Sequence, residues 1–283
     1  MKKEMTMHTR RWMTVAALLV FFLASTTNAQ SRSFVRYVSG DGSAYGLLEG
    51  DTVQELEGGL FDEPKTTGRT HALADLELLA PVEPRTVFAV GLNYQSHLGD
   101  RDPAAEPGIF LKTASSIIAS GAPIVIPEGA EEVHFEAEMV IVIGRQAKGV
   151  SVEDAQSYIF GVTPGNDVSA RLWQRNDLQW FRGKALDTFG PIGPAIVTGL
   201  DYDDLKLVGR LNGEVVQESP TSYLIFNTSE IVSFLSRYVT LEPGDVIFTG
   251  TPGRTSAMKS GDVFEVEIEG VGVLRNPIIA ATD

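Results

Sequence analysis

Glu136 and Glu138 stand two positions apart in a run whose Phe135, Met139, Val140, Ile141, Val142 and Ile143 read as a β-strand. A period of two sets both carboxylates side by side on one face. On a mostly apolar strand, two like charges displace each other's titration unless a cation lies between them. Asp167, in the loop signal Gly165-Asn166-Asp167, can close the site with a third oxygen. With no cysteine and four histidines in the chain, three carboxylates describe a hard-cation site for Mg2+ or Mn2+, with Ca2+ also compatible. Taken alone, Glu-x-Glu is more often the solvated face of an edge strand. His97 follows the apolar strand 86–90 in a polar loop, and a lone histidine there is more often structural than catalytic. Here, however, a helical turn brings Asp100 alongside the imidazole, which fixes its tautomer and raises its basicity. Lys184 follows Gly183, a residue that lets backbone or substrate approach closely. Lys112 reads as a surface cation. Of Trp173 and Trp180, one is expected in the core, with an aromatic lid beside the site as the lesser option.

These residues need a scaffold, and the composition bounds it. The chain has 283 residues, 43% of them hydrophobic and 21% charged, enough for one large domain or two small ones with a real core. Its 28 glycines, 14 prolines and many short β-type runs favour a turn-rich β architecture. A net charge of −14 with no basic stripe excludes binding to a nucleic-acid backbone. The absence of cysteine excludes disulfides, thiolate nucleophiles and cysteine–zinc sites.

Residues 1–29 read as a signal peptide. A basic segment with Lys2, Lys3, Arg10 and Arg11 precedes an apolar run over 13–24 that is short for a membrane span. Thr27-Asn28-Ala29 offers a cleavage site, so the mature protein is expected to be periplasmic or secreted, with no stable membrane insertion. An uncleaved inner-membrane anchor is the alternative, and Arg10-Arg11 faintly resembles a twin-arginine signal. Residues 30–80 then form a small N-terminal β domain and connector, with a meander over 34–62, and residues 81–283 form the main domain. Within it, Ser151 to Asp154 is a capping box opening a helix, and Asn212-Gly213 is a two-residue hairpin turn. Thr228 or Ser229 caps a helix ending near Tyr238.

Seven stretches in order complete a pattern: VGLNYQSH at 90–97, PGIFLK at 107–112, HFEAEMVIVIG at 134–144 and GNDVSARLWQ at 165–174. WFRGKALDTFGPIGP at 180–194, LNGEVVQES at 211–219 and LEPGDVIFTGTPG at 241–253 follow. Together they resemble the fumarylacetoacetate hydrolase superfamily over roughly residues 85–278. The resemblance implies a mainly β (α+β) fold of mixed, curved sheets in a barrel-like roll, and a homodimer. It implies a divalent cation on Glu136, Glu138 and Asp167, with His97 as general base paired to Asp100. Gln174 and Lys184 fall where the family stabilises an oxyanion, and Thr251 and Arg171 where it binds substrate. Leu172 stands where many relatives have aspartate.

The expected reaction is hydrolytic C–C cleavage of a 2,4-diketo acid such as an acylpyruvate, with a catabolic role. The cation polarises a carbonyl, His97 activates water, and Lys184 with Gln174 receives the oxyanion. Decarboxylation, isomerisation or dehydration of a 2-oxo acid are alternatives on the same chemistry. A non-catalytic periplasmic binding protein is the alternative from a different class, although binding alone requires neither His97 nor Lys184. An iron oxygenase built on His134 and Glu136 lacks further nitrogen ligands.

Overall fold

The computed structural model describes residues 31–281, and the proposed signal segment 1–29 lies outside them. The chain is mainly β. A ten-stranded mixed sheet runs, in spatial order, through Lys65–Ala72, Thr52–Glu57, Gly42–Glu49, Arg32–Ser39, Ala195–Thr198, Ile159–Asn166, Ala137–Ile143, Val246–Phe248, Val87–Gly91 and Gly108–Lys112. A five-stranded sheet follows the order Glu214–Pro220, Lys206–Leu211, Val263–Ile268, Gly272–Ala280 and Ile124–Ile126. Val246–Phe248 runs parallel to Val87–Gly91, and Gly272–Ala280 parallel to Ile124–Ile126, so both sheets are mixed. The larger sheet keeps two edges, so the roll is open rather than a closed barrel. The first four strands form an antiparallel meander that joins this sheet through the pairing of Phe34 with Ile196.

Every residue of Ala137–Ile143 is buried, because the strand has a packed core on each face. Met139, Ile141 and Ile143 belong to the main core, which the five-stranded sheet covers, while Val140 and Val142 pack with Phe248, Val246 and Ile196. Two buried faces explain an unbroken apolar run where a half-exposed strand would alternate. Its antiparallel neighbour Ile159–Asn166 must pass close to other backbone. A Cβ on Gly161 would lie 2.5 Å from the Val197 carbonyl oxygen and 2.7 Å from a methyl of Ile196. A Gly161→Ala protein is therefore expected to lose about 1–3 kcal/mol by overpacking. Thermal unfolding checks this, and an unchanged midpoint would mean that the two strands separate freely.

The hairpin at Asn212-Gly213 forms with both residues at positive φ, +53° and +84°, as a tight two-residue turn requires. Ser151 accepts from the Asp154 N–H and caps a short helix, Val152–Ala155. The later helix, Thr228–Tyr238, starts earlier than expected because Asn227 is its cap. The Asn227 side chain accepts from the Glu230 N–H at 2.9 Å, and the Glu230 carboxylate accepts from the Asn227 N–H at 2.8 Å.

Candidate active site

Ala137 pairs with Asn166 in the antiparallel register of the two central strands. One step beyond that pair, Glu136 and Asp167 face each other, and the Asp167 N–H donates to the Glu136 carbonyl at 2.9 Å. Asn166 adds a second tie, its Oδ1 accepting from the Glu136 N–H at 2.9 Å. This one ladder brings together residues far apart in the chain. Carboxylate oxygens of Glu136, Glu138 and Asp167 all lie within 4.8 Å of one another. None of the three residues is more than 3% exposed, so the reading of a solvated edge strand does not hold.

Three cations surround them. The Lys184 ammonium donates to Asp167 Oδ2 at 2.5 Å and also to Glu136 Oε2. The Arg171 guanidinium donates to Glu136 Oε1, to the Thr255 hydroxyl at 2.9 Å and to the Gln174 side-chain oxygen at 2.8 Å. Lys112 donates to Asp167 Oδ1 at 2.6 Å and to the Lys184 carbonyl oxygen. Lys112 is thus a buried member of the centre, correcting its reading as a surface cation. Phe110, two positions earlier, packs inward, so the period of the strand Gly108–Lys112 carries Lys112 to the same face.

The carboxylates are not equivalent. Burial works to raise the Glu136 carboxyl, but Lys184 and then Arg171 outweigh it and hold that group well below the usual carboxylate range. Burial likewise opposes the Lys184 ammonium, yet Asp167 and Glu136 keep it above the usual lysine range. Glu138 has no Lys, Arg or His within 4 Å among the described residues, and its Oε2 accepts from the Gly250 N–H at 2.7 Å. Burial, then the charges of Asp167 and Glu136, push its carboxyl far above its ordinary value. A buried acid without a cationic partner, beside two more carboxylates, is the donor set that a hard divalent cation satisfies. Glu136, Glu138 and Asp167 would hold it.

The carboxylates open into a cavity of about 230 Å³ that His97, Arg171, Gln174, Lys184 and Thr251 also line. His97 lies on the short helix Gln95–Leu98. Its Nδ1 is 2.6 Å from the Gly253 carbonyl oxygen, and its Nε2 is 3.7 Å from Glu136 Oε1. The expected partnership with Asp100 is absent. Gly99, at φ +66°, turns the chain out of the helix, and Asp100 sits exposed beyond it. A carbonyl only accepts, so it fixes the proton on Nδ1 and leaves the Nε2 lone pair for chemistry.

Gln174 lies on the helix Arg171–Asn176 and Lys184 on Phe181–Lys184. Gly183 lets the two helices touch, since a Cβ there would lie 2.8 Å from the Gln174 Cα. Because Arg171 occupies the Gln174 oxygen, the amide NH2 is the group left to donate. The Thr251 hydroxyl donates to the Ala137 carbonyl at 2.9 Å and accepts from Gln217 at 2.8 Å, so it ties the site's strands together. Trp173 packs partly buried against the main core, and Trp180 lies edge-on to Phe110 at 5.2 Å, on the cavity wall.

Residues 86–279 match the family model described as fumarylacetoacetate (FAA) hydrolase, C-terminal, and residues 33–81 match that described as Rv2993c-like, N-terminal. Protein Rv2993c of Mycobacterium tuberculosis is 43% identical over 256 residues, covering 86% of this chain and 97% of that protein. Oxaloacetate tautomerase fahd2, mitochondrial, of Xenopus laevis is 41% identical over 221 residues, covering 73% of this chain and 69% of that protein. The crystal structure of 5-carboxymethyl-2-hydroxymuconate delta-isomerase from Mycobacterium smegmatis is similar with a TM-score of 0.84 at 44% identity, covering 88% of this chain and 99% of that one. The sequence motifs, the sheet topology, the buried acidic triad and these matches lead to one assignment: the chain belongs to the fumarylacetoacetate hydrolase superfamily of enzymes.

Proposed function

We propose that the protein is a divalent-cation-dependent enzyme of small 2-oxo and 2,4-dioxo acids, in which His97 moves a proton at the carbon next to the oxo group. The observation that carries this reading is the imidazole's setting. Its Nδ1 is held by the Gly253 carbonyl, and its Nε2 is turned toward the acidic triad. Glu136, Glu138 and Asp167 would hold a divalent cation, Mg2+ or Mn2+ by the donor set, which would supply Lewis acidity to the neighbouring C–H.

The Gly253 carbonyl fixes the tautomer that leaves Nε2 free to take a proton, and an activated C–H beside the oxo group is the donor we assign to it. Two relatives named as a tautomerase and an isomerase support this choice. A cavity of about 230 Å³ lies below the usual range for drug-sized ligands and suits a small acid. Arg171 holds Gln174 so that its NH2 donates, and Lys184 lies beside it on the cavity wall. These two donors would steady negative charge on substrate oxygen.

Hydrolytic cleavage of a C–C bond in a diketo acid is the second reading. It is favoured by the same Lys184 and Gln174, which would receive a tetrahedral oxyanion once His97 had taken a proton from water. The proposal extends to a homodimer, and to export with cleavage after Ala29, the latter supported by the make-up of residues 1–29.

The test compares, with Mg2+ or Mn2+ added, deuterium exchange at C3 of oxaloacetate above buffer background with cleavage of an acylpyruvate. Exchange into oxaloacetate without loss of carbon supports proton transfer, and pyruvate release from the acylpyruvate supports hydrolysis. His97→Asn is expected to lower either rate by about 10²–10⁴-fold while Mn2+ affinity changes less than about threefold. A variant as fast as the parent would remove His97 from the mechanism.

A further inference from the structure

The catalytic cavity has a neighbour across one of its walls. Gly91, Leu92 and Trp180 form part of its wall and, from their other side, part of a second groove of about 270 Å³. That groove is completed by Gly108, Ile109, Phe110, Leu178 and Gln179, and no charged side chain lines it. The two spaces therefore share a wall but differ in chemistry, one crowded with carboxylates and cations, the other apolar and aromatic.

The shared wall is built under constraint. Leu92 holds φ +60°, a conformation that L side chains rarely adopt. A Cβ on Gly91 would lie 3.2 Å from the Trp180 ring, so glycine lets the indole come down onto the strand Val87–Gly91. Phe110 then supports the indole edge-on at 5.2 Å. Leu178, 96% exposed, stands on the groove's open side, where no packing among the described residues accounts for it.

We propose that this groove is a specificity annex that takes the apolar tail of the substrate while its 2-oxo acid head lies on the triad. The inference rests on the proposed function above and narrows its substrate class to 2-oxo or 2,4-dioxo acids with an uncharged alkyl or aryl substituent. A second carboxylate in the groove would meet no cation and would lose its hydration. A tail of a few carbons reaches the groove past Leu92 and Trp180, and each methylene it buries there raises affinity about fourfold.

The experiment is isothermal titration of Mn2+-loaded full-length protein with unbranched 2-oxo acids from pyruvate to 2-oxooctanoate, and with oxaloacetate. Affinity is expected to climb about fourfold per methylene over two or three steps and then level off. In Leu178→Asp the climb should flatten, with oxaloacetate binding within about twofold of the parent. Leu178 is exposed, so this variant keeps the fold, and light scattering is run alongside it. If pyruvate and oxaloacetate bind but chain length brings no gain, the annex is overturned and the proposed function stands. If none of the acids binds, both fall. If Leu178→Asp changes the oligomeric mass, the groove is a subunit contact and the annex is likewise overturned.

Discussion

A Glu138→Gln protein is expected to lose its activity and its thermal response to Mn2+ together, and yet to unfold at a higher temperature than the parent in chelator. The two signs have one cause. Glu138 is the triad member with no cation within 4 Å among the described residues, so the apoprotein carries the cost of its charge or of keeping its proton, and a bound divalent ion removes that cost. Glutamine keeps an oxygen for the Gly250 N–H and discards the charge. A carboxyl raised by burial favours the folded state while protonated, below the unfolded value near 4.5, and that advantage is lost as pH rises. Glutamine has no such slope. The apoprotein's gain should therefore be near zero at pH 4 and grow toward neutrality, each pH unit of retained proton being worth about 1.4 kcal/mol. For a chain of this size, at about 2–4 °C per kcal/mol, that is about 3–6 °C per step. Activity should fall by more than the ~10–100-fold that follows loss of an outer partner of a metal ligand. Calorimetric scans with and without Mn2+ at two pH values read all of this. If Mn2+ still raised the variant's midpoint by the parent's amount, the centre would not be built on Glu138.

The triad was legible in the sequence because it depends on one local rule and one pairing. Glu136 and Glu138 share a face by the period of a strand, and that period survives whatever packs around it. Asp167 was harder, since its approach is set by the register of Ala137 against Asn166, a long-range fact that local pattern does not contain. The loop signal Gly165-Asn166-Asp167 marks it as a candidate, and the resemblance of seven motifs to a known family implies the same ligand. Asp100 shows the opposite case. Its three-residue spacing from His97 is right for a continuing helix, but the helix stops at Gly99, and the imidazole takes its partner from Gly253, 156 residues away. Glycine between the two was the available warning. Gly183 leaves room for substrate or backbone by its type alone, and the neighbour is the backbone of Gln174.

The charge balance of the site was less legible than its ligands. Arg171, expected at the substrate, lines the cavity, and its further roles of neutralising Glu136 and orienting Gln174 have no local signal in the sequence. Sequence pattern marks which residues face inward, but which opposite charges meet there depends on how one strand and two helices from separate segments come together. That is also why a lysine at the end of a strand looked ordinary.

Lys112→Met is the substitution that decides how that lysine works, and the expected loss is large. The Lys112 side chain is fully buried, and its ammonium serves Asp167 on one side and the Lys184 carbonyl on the other. Burial outweighs the attraction of Asp167 and pushes the ammonium below the usual lysine range, so the pair as a whole adds little net stability. Removing one member alone is different: Asp167 keeps its charge in a buried site with half of its compensation gone. Breaking such a pair costs about 3–5 kcal/mol, against about 0–1 kcal/mol for an exposed pair such as Lys206 with Glu218. At about 2–4 °C per kcal/mol the unfolding midpoint should drop by roughly 10 °C. Adding Asp167→Asn to Lys112→Met should recover part of this, because the stranded charge is then gone, whereas a lysine that mattered only for packing would show no such recovery. Mn2+ should stabilise Lys112→Met more than the parent, since a divalent ion on Asp167 replaces the missing charge. Lys112 does not reach the cavity wall, so saturating Mn2+ is expected to restore most of the turnover along with the fold. A midpoint within about 2 °C of the parent would mean that this buried pair counts for no more than an exposed one.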